Sequence, residues 1–287
     1  MRIFLLVLTN LAVMLVLSLV STALGLNTWL TAHGLQFGAL LGYCAVFGMG
    51  GSVISLLLSK SIAKWTTRAH VITGREGPVE QDLVRMVDQL AQRARIGMPE
   101  VAIFDGAPNA FATGAFRNSA LVAVSTGLLH TMDRGQVEAV LAHEVAHIAN
   151  GDMQTMGLLQ GVLNTFVMLA SRVIGMAVDR TVFNNEGARG GLGYTLVYVL
   201  LQTLFGIAAS LVVMAFSRHR EYRADWGAAQ LLGSAVPMQR ALKGLAGESS
   251  DLPAPVAAFG ISSRHAGLFR SHPPLHSRIK ALNKFGH

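Results

Sequence analysis

Four long stretches without a charged residue limit what this chain can fold into before any motif is read. Ile3–Leu26 holds 24 uncharged residues and Gly190–Ser217 holds 28, and Leu35–Ser59 and Met153–Ser171 are also free of charge. About 20 apolar residues suffice to cross a bilayer as a helix. A backbone in lipid must satisfy its own polar groups, and a helix does so. The chain therefore reads as a mainly α, multi-span membrane protein. Composition agrees, with 14% charged residues and a mean hydropathy of +0.46, against about 25% charged in soluble proteins. For the first stretch the alternative is a cleaved signal peptide, with Ser21-Thr22-Ala23 as the small residues before the cut. Its apolar core is longer than the usual h-region of about 7–15 residues, and a second run follows at once, so an uncleaved anchor is favoured. Gly38, Gly42, Gly48, Gly50 and Gly51 suit that second run to close helix packing in lipid. Gln154, Gln160 and Asn164 weaken the third run as a span.

The charges sit at the ends of these runs. Lys60, Lys64 and Arg68 follow the second run, and the turn before it carries no Lys or Arg. The positive-inside rule then puts that turn outside, and the N-terminus and the residues after Lys60 in the cytoplasm. The same placement explains the net charge of +7 as membrane-flanking charge, so no nucleic-acid partner is expected. Arg172, Arg180 and Arg189 read as a loop between the third and fourth runs. Only Asp179 and Glu186 balance them, which conflicts with an outside location. The second hairpin is thus open between full crossing and a shallow dip. The lone Cys44, inside an apolar run, excludes an intrachain disulfide and a Cys-rich metal site.

Residues 66–152 read as a polar α+β segment. Pro78, with Glu80 and Asp82 in the first turn, opens a helix to about Arg95 that buries Leu83, Met86, Val87 and Leu90. Short strands are expected at Val101–Phe104, Asn109–Ala115 and Ala120–Ser125. Asp133 with Gln136 three residues on signals a capping box, and Asn150-Gly151 a helix stop. Between them Val137, Val140, Leu141, Val145 and Ile148 recur at helical spacing. That helix carries His143-Glu144-Val145-Ala146-His147. Histidines four apart share a helix face, so both imidazoles can reach one metal. Glu144 lies about 100° round the helix, away from the ligand positions. It is placed to take a proton from a water in the metal's open position, the division of labour of an H-E-x-x-H site. The small residues Ala142, Ala146 and Ala149 leave room for metal and substrate.

Of the three glutamates after the motif, Glu186, Glu221 and Glu248, Glu221 is the strongest candidate for third ligand. Asp225 lies one turn on and can fix the tautomer of a ligand histidine. Without the upstream motif, Arg218, Arg220, Glu221, Arg223 and Asp225 would read as a juxtamembrane helix of alternating charge. His272, fixed by Pro273 and Pro274 before a last helix over Leu275–Lys284, can donate to a developing oxyanion or serve as a turn residue. Arg278 sits one turn inside that helix. The stretch Asn109–Thr113 fits a strand pairing with an extended substrate and equally an ordinary core hairpin.

Jointly these residues resemble the M48 family of zinc metallopeptidases, nearest to its bacterial heat-shock membrane proteases. The resemblance rests on His143–His147, Glu221 with Asp225, Pro108-Asn109-Ala110-Phe111-Ala112-Thr113-Gly114, and His272-Pro273-Pro274 with Arg278. It implies a gluzincin-like zinc metalloprotease domain with a small β-sheet and one Zn²⁺ per chain on His143, His147 and Glu221. It further implies Glu144 as general base, His272 stabilising the transition state, and Asn109 and Ala110 binding substrate backbone; Arg278 is read as a further substrate-binding residue that can join His272 at the oxyanion. The expected organisation is a transmembrane hairpin over 1–59, a cytoplasmic catalytic part over 60–152, a second hydrophobic hairpin over 153–217, and a cytoplasmic helical part over 218–287. The implied activity is hydrolysis of misfolded or damaged membrane proteins and unfolded polypeptides at the bacterial inner membrane, as part of a stress response. Two rivals remain: a prenyl-protein-type endopeptidase of the same family, which needs more spans, and a zinc-holding membrane chaperone or scaffold that never cleaves, against which the intact Glu144 argues.

Overall fold

The structure, a computed structural model, describes residues 23, 37–73, 76–183, 191–248 and 272–285. The first apolar run lies outside these. Chain contacts divide the molecule into two compact units, Met1–Leu56 with Met156–Val213, and Leu57–Thr155 with Met214–His287.

The first unit is helical. Helix α1 (Phe37–Thr67) contributes its first part, Tyr43, Cys44 and Phe47 packing with Met168 of a later helix. Three helices among the described residues are long and apolar enough to cross a membrane. All three extend beyond the apolar runs that seed them. Helix α1 continues past Ser59 to Thr67, and Lys60 and Lys64 bind Glu100 at 2.6 and 2.5 Å. The expected loop after the third run also shrinks, because Arg172 and Arg180 belong to a helix that runs to Thr181. No proline or glycine interrupts Arg172–Thr181 except Gly175, and a long basic side chain can carry its charge off an apolar helix face.

The second unit holds the sheet. After the two-residue strand β1 (His70–Val71) comes helix α2 (Pro78–Ala94), then β2 (Glu100–Phe104), β3 (Ala110–Thr113) and β4 (Leu121–Ser125). The order is β1-β2-β4-β3, with β2 parallel to β4 and the other pairs antiparallel. All five β4 residues are buried. Val122 and Val124 face the main core with Leu83, Val87 and Leu90 of α2, while Leu121 and Ala123 meet Phe104 and Phe111 on the other face. This is the two-residue alternation of a strand covered on both sides. Ser125 ends β4 and caps the short helix α3 (Thr126–Thr131), accepting from the amides of Leu128 at 3.1 Å and Asn109 at 2.8 Å.

Helix α4 (Arg134–Ala149) carries the histidines. Both halves of its capping box form, Asp133 accepting from Gln136 N at 2.8 Å and Gln136 accepting from Asp133 N at 3.0 Å. Asn150 caps the far end, and Gly151 turns the chain at φ +68°, where glycine is unstrained. Ten of its side chains are buried, on every side, the mark of a central helix. Helix α5 (Asp152–Thr181) starts immediately beyond, and α6 (Leu192–Leu232) runs unbroken from the fourth apolar run through Glu221 and Asp225. Helices α7 (Val236–Glu248) and α8 (Leu275–Leu282) close the unit, Met238, Leu242 and Leu282 entering the main core.

Candidate metal centre

Two helices, α4 and α6, converge on one point. From α4, His143 and His147 turn their Nε2 atoms to within 3.1 Å of each other, the rings meeting edge to face at 4.7 Å between centroids. From α6, the Glu221 carboxylate spans the pair, Oε2 lying 3.5 Å from His143 Nε2 and Oε1 lying 3.4 Å from His147 Nε2. One ligand atom from each of the three residues lies within 4.8 Å of the others, and all three side chains are buried. Glu221 begins just beyond the uncharged run that ends at Ser217, on the continuous helix α6.

The other ring nitrogens are anchored too. His143 Nδ1 lies 3.0 Å from Asp225 Oδ1, and His147 Nδ1 lies 2.5 Å from Asp152 Oδ2. Each carboxylate holds the proton on Nδ1 and leaves the Nε2 lone pair facing the cluster. Arg278 of α8 grips Asp225 with two bonds, Nε to Oδ2 at 2.8 Å and Nη2 to Oδ1 at 2.6 Å, and its Nη1 lies 3.3 Å from Glu221 Oε2. Arg220 donates to the Asp152 carbonyl at 2.7 Å. His272 is 64% exposed, its Nδ1 2.8 Å from Glu221 Oε2. That short approach is poorly directed, and Oε2 remains a buried oxygen without a well-formed hydrogen bond among the described residues.

With the proton of each neutral ring held on Nδ1, the two facing Nε2 atoms both present lone pairs, and the Glu221 carboxylate with an underused oxygen sits beside them. This donor set, two imidazoles and one carboxylate, fits a divalent cation of the type that tetrahedral nitrogen and oxygen ligands hold. The electrostatics reflect the same crowding. Burial opposes charging of His147, yet the Asp152 and Glu221 carboxylates outweigh it and push its pKa up to about 9. His143 also rises, burial being outweighed by Asp225 and Glu221. Burial would raise Glu221, but His143, His147 and His272 hold its carboxyl well below the usual range.

Glu144 is half-buried beside His143, near enough that its charge favours protonated His147. Asn109 and Ala110 enter β3, the last strand in the sheet order, which lies beside α4. Ser125 holds Asn109 on both sides, accepting from its amide and donating its own to the Asn109 carbonyl, each at 2.8 Å. Arg278, read from the sequence as a substrate-binding residue, is buried in the ligand cluster, where the Asp225 carboxylate accepts two bonds from it. Sequence reasoning missed Asp152 and Arg220. Asp152 follows Asn150-Gly151 and opens α5, so it reads as a helix-start residue; its place five residues after His147 was the one available signal.

A buried His-His-Glu cluster in an α+β unit, in a chain with bilayer-length apolar helices, defines a membrane metalloprotease. The chain belongs to peptidase family M48, whose model matches residues 79–285. A protein named Protease HtpX homolog from Leptothrix cholodnii is 55% identical over 287 residues, covering 99% of each chain. Its namesake from Verminephrobacter eiseniae is 56% identical over 284 residues, covering 98% of this chain and 97% of the relative. The crystal structure of S. mikatae Ste24p superposes with a TM-score of 0.63 at 20% identity, over 96% of this chain and 66% of that one, a likeness of fold.

Proposed function

We propose that the chain is a zinc endopeptidase that cleaves misfolded or damaged membrane proteins and unfolded polypeptides from the cytoplasmic face of a bacterial inner membrane. The observation that carries this reading is the convergence of His143, His147 and Glu221, each histidine held at Nδ1 by its own aspartate. His143, His147 and Glu221 would hold the zinc, which when bound supplies a Lewis acid that acidifies water and polarises a peptide carbonyl. Glu144 takes a proton from the attacking water and returns it to the leaving amine. His272, with Nδ1 2.8 Å from Glu221 Oε2 and much of its ring exposed, has Nε2 available to donate to the developing oxyanion. Ala110, the first residue of the terminal strand beside the motif helix, and Asn109 just before it suit main-chain pairing with an extended chain. Arg278 positions Asp225 and, through it, His143. Lys60, Lys64 and Arg68 after one apolar run, and Arg218, Arg220 and Arg223 after another, support a cytoplasmic site. The bacterial relatives support an inner-membrane location.

The test is zinc content and cleavage of an unfolded model protein, in detergent, for wild type, Glu144→Gln and Glu221→Ala. Wild type binds one zinc per chain and cleaves, Glu144→Gln binds without cleaving, and Glu221→Ala loses the metal. If all three hold zinc equally and none cleaves, the site is structural and the scaffold reading replaces this one.

A further inference from the structure

The first unit contains a charged group that proteolysis does not use. Arg172 lies inside α5, among residues otherwise apolar enough to cross a membrane. A guanidinium stays charged in proteins, and an ionisable residue in such a segment is a functional candidate by default. Its surroundings are aromatic. Its Nη2 lies 3.4 Å from the Tyr43 hydroxyl, and its Cζ lies 4.7 Å from the Tyr43 ring centroid and 5.5 Å from that of Tyr198. Tyr194 stacks on Tyr198 at 5.9 Å, and both lie over Gly175, one turn beyond Arg172. The titratable groups that act on it most strongly are Tyr198, Tyr43, Tyr194 and Cys44, with no carboxylate among them. Its Nε is buried and finds no acceptor among the described residues. Among the described residues its N–H donors thus meet only tyrosine hydroxyls, Tyr43 at 3.4 Å and Tyr198, and the two rings supply only part of the missing counter-charge.

The cluster also sits at a telling level. Tyr194 and Tyr198 stand in the first two turns of α6, and Arg172 in the last three of α5. Tyrosines near the ends of membrane helices mark the headgroup region. Leu192 and Leu196, 86% and 71% exposed, continue the α6 surface as an apolar strip. We propose that Arg172, with Tyr43 and Tyr198, binds the phosphate of an anionic phospholipid whose acyl chains lie along that strip. The planar fork of the guanidinium matches two phosphate oxygens, and the tyrosine hydroxyls offer further donors. Basic pockets between membrane helices recognise lipid headgroups by this chemistry. Inorganic phosphate shares the chemistry but has no use for the strip.

The full chain, delipidated in detergent, is titrated with phosphatidylglycerol or phosphatidylcholine and bound lipid is read by native mass spectrometry. Wild type favours phosphatidylglycerol, and Arg172→Gln weakens its retention by about tenfold, as loss of a charge-assisted hydrogen-bond pair predicts. Arg172→Lys keeps the charge without the fork and falls between the two, which holds the test open should Arg172→Gln fail to fold. Arg180→Gln, at an exposed arginine of the same helix, retains lipid as wild type does. Excess inorganic phosphate leaves the bound lipid in place. The proposal is overturned by equal retention of both lipids, by undiminished binding in both Arg172 variants, by an equal loss in Arg180→Gln, or by displacement with free phosphate. None of these readouts depends on proteolysis.

Discussion

Gly227 is the position where the metal centre is most exposed to a one-carbon change. A Cβ placed there would stand 2.9 Å from Ala146 Cβ and 3.9 Å from Ala146 Cα. Carbon atoms pack at about 3.5–4.0 Å, so Gly227→Ala must separate α6 from α4 by close to 1 Å at this level. Neither side yields easily, because Ala146 is 3% exposed on a helix packed all round. Overpacking of this kind costs about 1–3 kcal/mol. The chemistry should suffer more than the stability. Ala146 adjoins His147, and Gly227 follows Asp225 by two residues, so the shift pulls two ligands on α4 away from the third ligand and one anchor on α6. Sites of this sort need their groups within about 0.5 Å, and a 1 Å misplacement costs about a hundredfold in rate. Thermal unfolding, metal content by mass spectrometry and cleavage of an unfolded protein would be measured for Gly227→Ala and for the double variant with Ala146→Gly. The double variant removes the colliding methyl and should recover most of the metal and rate, less about 1 kcal/mol for a new helical glycine. Wild-type metal content and rate in Gly227→Ala, or a double variant no better than the single, would refute the reasoning.

Asp152→Asn removes the negative partner of His147 Nδ1 while keeping its size. Metal affinity should fall by about 10–100-fold, as read by competition with a chromogenic chelator; unchanged affinity means that Asp152 only starts a helix. For pH, His147 has a folded-state pKa raised from 6.5 to about 9. In the metal-free protein its ion pairing therefore stabilises fully below pH 6.5 and is lost as pH rises toward 9. The unfolding midpoint of the metal-free chain should decline over that window, and a flat profile would contradict the assignment. Ligation needs neutral imidazole, so zinc uptake at pH 7.5 should release about one proton per ion; calorimetry in buffers of different ionisation enthalpy measures this, and identical heats would count against it.

What could be read from the chain in advance was local. The capping box at Asp133 and Gln136, the stop at Asn150-Gly151 and the pair His143 and His147 all depend on residues within one or two turns. Helix α2 and strands β2, β3 and β4 followed from apolar spacing. The two-residue strand β1 and the six-residue helix α3 are too short for periodicity to mark. The extents of α1 and α5 were underread because Lys60 and Arg172 looked like boundaries, whereas helices continue through such residues when no breaker intervenes. The Arg278–Asp225 clamp joins positions 53 residues apart and leaves no local trace.

The anchoring carboxylates are scattered along the chain, and this sets when the site can exist. His143, His147 and Asp152 are made first. Glu221 and Asp225 follow only after roughly seventy more residues, and Arg278 comes 53 residues after Asp225. Closing such distances requires a folded interior, so a nascent or half-folded chain has two histidines and nothing to complete them. Metal capture thereby becomes a late step in biogenesis, completed only once α8 has docked Arg278 against Asp225.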